Sequence, residues 1–169
     1  MKIQRSQSYP VSLETLAGIF TSEEFYRVRN RAAENSRFAV DSCVDTDHEF
    51  SIVISRGLSI PLDKVPALVR KFVKGEVTLL QEFRWPKQPP YIGQYRFSLK
   101  GVPVEVKGQM TLAAEAGGAS QSLVAEVICN VPLVGGKLAA LAGEHADKGL
   151  DADYRGTLRY LESHGLLPS

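Results

Sequence analysis

A chain of 169 residues with 44% hydrophobic and 23% charged content has the composition of a folded globular protein about one domain long, not of a disordered tail. Its 20 basic and 19 acidic side chains leave a net charge of +1, so no bulk field gathers a nucleic acid. No apolar run approaches the roughly 20 residues of a membrane-spanning helix, and MKIQRSQSYP alternates polar residues where a signal peptide places an apolar stretch, so a cytoplasmic location is expected.

Residues 1–9 alternate around Ile3 and read as a strand closed by Pro10. Ser12 then caps a short helix carrying Leu13, Leu16, Ala17 and Phe20 at helical spacing. After the Thr21-Ser22 break, a second helix opens on Glu23 and Glu24, which suit the positive end of its dipole, and bears the stripe Phe25, Val28, Ala32. From Arg37 the period changes to two. Phe38, Val40, Ser42 and Val44 share one face, Asp45 to Asp47 make a turn, and Phe50, Ile52 and Ile54 return, so a hairpin is predicted.

After Pro61, residues 63–73 read as a short helix capped by Asp63, with Leu68, Val69 and Phe72 inward, Gly75 at its end, and Lys64, Arg70, Lys71 and Lys74 on its other face. Clear strands follow. Val77, Leu79, Gln81, Phe83 and Trp85 share one parity; past Pro86 to Pro90, so do Tyr91, Gly93, Tyr95, Phe97 and Leu99. Val102, Val104, Val106, Met110 and Leu112 alternate with polar residues, the mark of a sheet with one wet face, and Gly117-Gly118 turns the chain into Leu123, Ala125, Val127, Cys129 and Val131. Cys43 and Cys129, both in strand-like segments expected on opposite faces, read as free thiols of a reducing compartment.

A long helix, 137–163, ends the chain, with Leu138, Leu141, Ala142, His145, Gly149, Ala152 and Gly156 on one broad face and Tyr154, Leu158 and Leu161 on another. Small residues along a face permit close packing on the sheet or open space above it. The segments LDKVPALVRKFVKGEVTLLQEFRW, at 62–85, and NVPLVGGKLAAL, at 130–141, belong to an order of elements that resembles the START-like or SRPBCC superfamily, the Bet v 1-like helix-grip fold. Within it the chain is most similar to the bacterial family called domain of unknown function 2505. The resemblance implies a single α+β domain over 1–169, with a curved antiparallel sheet of about six or seven strands wrapped around the C-terminal helix. Between them it implies a cavity of the kind in which relatives hold lipids, sterols, polyketides or plant hormones. No catalytic set carries over, because relatives place their functional residues differently.

The cavity is expected to be lined by Gln81, Phe83, Trp85, Tyr95, Phe97, Leu141, His145 and Tyr154, an apolar surface with a few polar handles. A filled core made by the same stripes is the alternative. His145 is the histidine expected within a structured element and could shuttle a proton near neutral pH, while Glu144, Asp147 and Asp151 pair at helical spacing with Lys148 and Arg155 as a solvated face. Asp45, Asp47, His48 and Glu49 lack the glycine and spacing of a calcium loop, and Gly135-Gly136-Lys137 lacks the rest of a phosphate loop. With no G-x-S-x-G elbow and no C-x-x-C pair, neither metal, cofactor nor catalytic residue is assigned.

The leading expectation is therefore binding of an apolar small molecule, with transient membrane-surface contact through Lys64, Arg70, Lys71 and Lys74. Two others stay open. One is a cyclase- or hydrolase-type enzyme using His145 as base with Tyr154 or Arg96 polarising a carbonyl; the other is a protein-interaction module whose cavity is vestigial.

Overall fold

A computed structural model describes residues 1–32, 37–60, 62–65, 67–71, 73 and 76–168, with the backbone alone for Lys64 and Val69. Strand β1 (Lys2–Tyr9) leads into α1 (Leu13–Phe20) and α2 (Glu23–Ala32). The strands β2 (Phe38–Asp45), β3 (Glu49–Ser59), β4 (Glu76–Pro86), β5 (Tyr91–Leu99), β6 (Glu105–Glu115) and β7 (Gly118–Ile128) follow, and α3 (Gly135–Ser163) closes the fold. One seven-stranded sheet runs in the order β1-β7-β6-β5-β4-β3-β2, with every neighbouring pair antiparallel. The expected helix-grip arrangement is present, a meander from β2 to β7 with β1 returning beside β7 and a long helix across the sheet.

Local chemistry accounts for the boundaries. The Ser12 hydroxyl accepts the Thr15 N–H at 3.1 Å and caps α1. Thr46 shapes the β2–β3 turn, its hydroxyl oxygen accepting from the backbone N–H groups of His48 and Glu49. Buried positions alternate along β4 and β5, placing Val77, Leu79, Gln81, Phe83 and Trp85 with Gly93, Tyr95, Phe97 and Leu99 on the concave face. Gly93 lies opposite Trp85 because a Cβ there would come within 2.6 Å of the indole ring.

Three expectations change. In β2 the register against β3 slips between Val40 and Ser42, so Asp41 is an extra residue and the parity flips. Cys43 then faces in, while Val44, expected inward, is exposed. The expected helix over 63–73 is instead two single 3₁₀ turns, Leu62–Lys64 and Ala67–Val69. Proline at 66 has no N–H to give an α-helical bond, which explains the break. Leu68, expected inward, is 58% exposed, whereas Val65 and Val73 are buried. Arg70 and Lys71 are exposed; Pro61, Pro66, Phe72, Lys74, Gly75 and the side chains of Lys64 and Val69 lie outside the described residues. Third, Asp147 and Asp151 do not pair along α3. Both bind Arg5 of β1, Asp147 at 2.7 Å, so these carboxylates clamp the helix to the sheet edge. Among the described residues, Lys148 takes its expected i,i+4 partner type, reaching Glu144 at 3.0 Å.

The core is aromatic at one end. Trp85, 1% exposed, stacks on Phe20 and donates its indole N–H to the Tyr26 hydroxyl at 3.2 Å; that hydroxyl donates to the Phe20 carbonyl. Tyr26 also stacks on Phe50 and leans on Phe83. Burial holds the Tyr26 hydroxyl far above its usual pKa, so it remains protonated and can make both bonds. The helix α3 packs on β1, β6, β7 and α2. The side chains of α1 and α2 cover the Phe50, Phe83 and Trp85 end of β3 and β4, and the candidate site lies beyond them, between β3–β5 and α3. Cys43 and Cys129 are free, and among the described residues no helix is long and apolar enough to cross a membrane.

Candidate functional site

The space between sheet and helix is divided. A cavity of about 640 Å³ has Leu58 of β3, Leu79 and Gln81 of β4, and Tyr95 and Phe97 of β5 on its sheet side. On its helix side stand His145, Ala146, Gly149, Ala152 and Gly156 of α3. Toward the aromatic core lies a second chamber of about 30 Å³, lined among others by Tyr9, Phe20, Tyr26, Phe83, Trp85 and Tyr154. The first volume is in the range of small-molecule sites; the second has room for no more than a water or two.

Of the residues expected at a ligand site, the structure brings Gln81, Tyr95, Phe97 and His145 together around the large cavity. Phe83, Trp85 and Tyr154, with Tyr95 again, border the small chamber. Leu141 is half-buried one position off the helix row Leu138, Ala142, Ala146 that packs inward, and it lines neither space. The Tyr154 hydroxyl donates to the Ser8 carbonyl at 3.0 Å and ties α3 to β1. Arg96 stands on the exposed sheet face, paired with Glu105. His145 at the large cavity, Tyr154 at the small chamber and Arg96 on the outer face therefore stand in three different surroundings.

The helix face toward the large cavity is built from small residues for two different reasons. At Gly149 an added Cβ would meet nothing within 4 Å, so the space is open. At Gly156 it would come within 2.9 Å of the Arg29 side chain, so the glycine admits that arginine. Neither position is needed for backbone strain.

Arg29, Tyr95 and Asp153 line both spaces and form the wall between them. The Arg29 side chain, 9% exposed, lies 3.6 Å from Asp153 and 3.4 Å from the Thr157 hydroxyl. Its guanidinium sits 4.8 Å from the Phe25 ring centre and 5.4 Å from that of Tyr26. Even so, the Arg29 Nε is buried with no hydrogen-bond partner among the described residues, and so is the Arg56 Nε on the same cavity. A buried donor left unmade costs about 1–3 kcal/mol. Tyr95 is held protonated by burial, with a hydrogen bond to Gln81 opposing that shift. Burial, then the charge of Lys148, lowers the pKa of His145, while Glu144 opposes them. Its imidazole is consequently neutral at neutral pH.

Arg29, Arg56 and Asp153 were not expected at a site. The signal existed for Arg56, which continues the inward row Phe50, Ile52, Ile54 along β3 and so places a charge where an apolar residue belongs. Arg29 stands one helical turn after buried Phe25, on the same face.

With this geometry in view, the chain can be set beside known proteins. A family model described as "Protein of unknown function (DUF2505)" matches residues 4–161. The chain belongs to this family. None of the curated proteins compared matches this DUF2505 member. Solved structures do. A protein from Rhodobacter sphaeroides superposes with TM-score 0.58 at 15% identity, covering 96% of this chain and 93% of its own. The protein TTHA0849 from Thermus thermophilus gives 0.57 at 13% identity, with 92% and 93% covered. Ara h 8.0201 gives 0.58 at 10% identity, with 96% and 98% covered. These likenesses establish the START-like, Bet v 1-like helix-grip fold of this DUF2505 chain.

Proposed function

We propose that this DUF2505 protein binds an apolar small molecule, of lipid, sterol or polyketide character, in the cavity between β3–β5 and α3. One observation carries the reading, the cavity of about 640 Å³ with Leu58, Leu79, Tyr95 and Phe97 along one side. Leu79, Gln81, Tyr95 and Phe97 are buried along its floor, and its mouth opens between the exposed Lys148, Gly149, Ala152, Arg155 and Arg159. The polar orienting groups are Gln81 and His145, while Trp85, Phe83 and Tyr154 support the wall behind. Arg70 and Lys71, beside the exposed Leu62 and Leu68, are the described residues that would touch an anionic membrane when a lipid-like ligand is exchanged.

Native mass spectrometry of the purified protein tests the reading. A defined extra mass that disappears on denaturation, with an extractable apolar compound, is the expected result. A bare mass, followed by no thermal shift with a panel of lipids, sterols and polyketides, sinks it.

A further inference from the structure

Resting on the ligand-binding reading above, we propose that the ligand is an anionic amphiphile, whose carboxylate or phosphate head is received by Arg29 and Arg56 while its apolar body lies along Leu58, Leu79 and Phe97. The cavity is lined by five cationic side chains, Arg29, Arg56, Lys148, Arg155 and Arg159, against one carboxylate, Asp153. The whole chain carries a net charge of only +1, so this concentration is local.

Three of those cations decide little. Lys148, Arg155 and Arg159 lie along α3 at the mouth of the cavity, and Lys148 is already paired with Glu144, so they read equally well as a solvated rim. Arg29 and Arg56 differ. They come from separate elements, α2 and β3, and each holds a buried Nε that no described residue satisfies. A guanidinium presents its donors in a planar fork that fits two oxygens of one carboxylate or phosphate. A neutral apolar ligand would cover these guanidinium groups without giving them a partner; an anionic oxygen supplies one. Asp153 lies 3.6 Å from Arg29 and repels an anion, which places the head group on the Arg56 side of Arg29. Besides Gln81 and Tyr95 the sheet side carries the apolar Leu58, Leu79 and Phe97, a surface that an inorganic anion would leave unused.

Isothermal titration calorimetry with matched ten-carbon probes, decanoate, decyl phosphate and decanol, all below their micellar concentrations, tests the inference. Decanoate or decyl phosphate should bind about tenfold or more tighter than decanol, and which of the two leads assigns the head group. Arg56→Met, which keeps the apolar stem, should abolish that preference by lowering the affinity for decanoate and decyl phosphate to that for decanol; Arg155→Met at the rim should reduce it far less. Equal binding of all three probes overturns the anionic head group and leaves the apolar cavity standing. Binding of none of them removes the cavity reading and this inference together. Should Arg56→Met fail to fold, the comparison of the three probes on the wild-type protein decides alone.

Discussion

His145 stands half-buried at the cavity with Glu144 and Lys148 beside it on α3, Arg56 facing from β3, Arg29 from α2, and Asp153 farther along its own helix. Its folded pKa lies below the ordinary 6.5, mainly through burial. The unfolded chain therefore takes up a proton before the native protein does, and stability falls as pH drops from neutrality through 6.5, levelling once the lower native value is passed. In His145→Gln that contribution vanishes. Urea unfolding at about pH 7.5 and pH 5.5 should show a smaller acid loss in the variant than in the wild type; the effect is modest because the ring is only part-buried, and equal losses would contradict it. An anionic ligand opposes the same shift, so decanoate should reduce the wild-type loss. Residue by residue, strand parity and helix spacing were enough to gather Gln81, Tyr95, Phe97 and His145. They did not reveal that Phe83 and Trp85 are occupied by Phe20 and Tyr26, because those partners arrive from two short helices whose docking on the sheet has no local signature.

Among elements, the strands were legible because one face is dry and the other wet, a pattern of period two that survives from β4 to β7. Where a bulge adds a residue in β2, the same rule gives the wrong face beyond it, since register depends on the partner strand and not on β2 itself. The segment 62–73 misled for another reason. Its apolar residues recur at helical spacing, but Pro66 removes a backbone donor in the middle, and the chain settles into two 3₁₀ turns that expose Leu62 and Leu68. Two exposed leucines next to Arg70 and Lys71 suit a lipid surface better than water. Each basic residue near an anionic bilayer is worth about 1 kcal/mol, so the double change Arg70→Gln, Lys71→Gln should weaken cosedimentation with phosphatidylserine vesicles roughly thirty-fold. Wild-type protein that stays in the supernatant, or a variant that sediments equally, removes membrane contact from the proposal.

At the scale of the whole molecule, the cavity exists because α3 is held to one side of the sheet. Arg5 clamps Asp147 and Asp151, Tyr154 ties the helix to Ser8, and Gly143 lies so close to Met1 that a Cβ would overlap its side chain. Those contacts fix α3 against β1, β6 and β7, leaving Gly149 over open space. A glycine inside a helix costs about 0.5–1 kcal/mol relative to a residue with a Cβ. Keeping one where nothing crowds it is a loss of stability with no packing return. Gly149→Leu therefore separates folding from function. It should raise the unfolding free energy by about 0.5–1 kcal/mol, while its side chain occupies part of the large cavity and weakens decanoate binding about tenfold or more. Gly93→Leu, whose Cβ would come within 2.8 Å of the Arg84 backbone carbonyl, should instead destabilise the protein. If Gly149→Leu is more stable and still binds decanoate as the wild type does, the ligand lies elsewhere. If it is more stable and binds poorly, the cavity that Gly149 borders is where the ligand sits, because a general loss of structure cannot make a protein both harder to unfold and worse at binding.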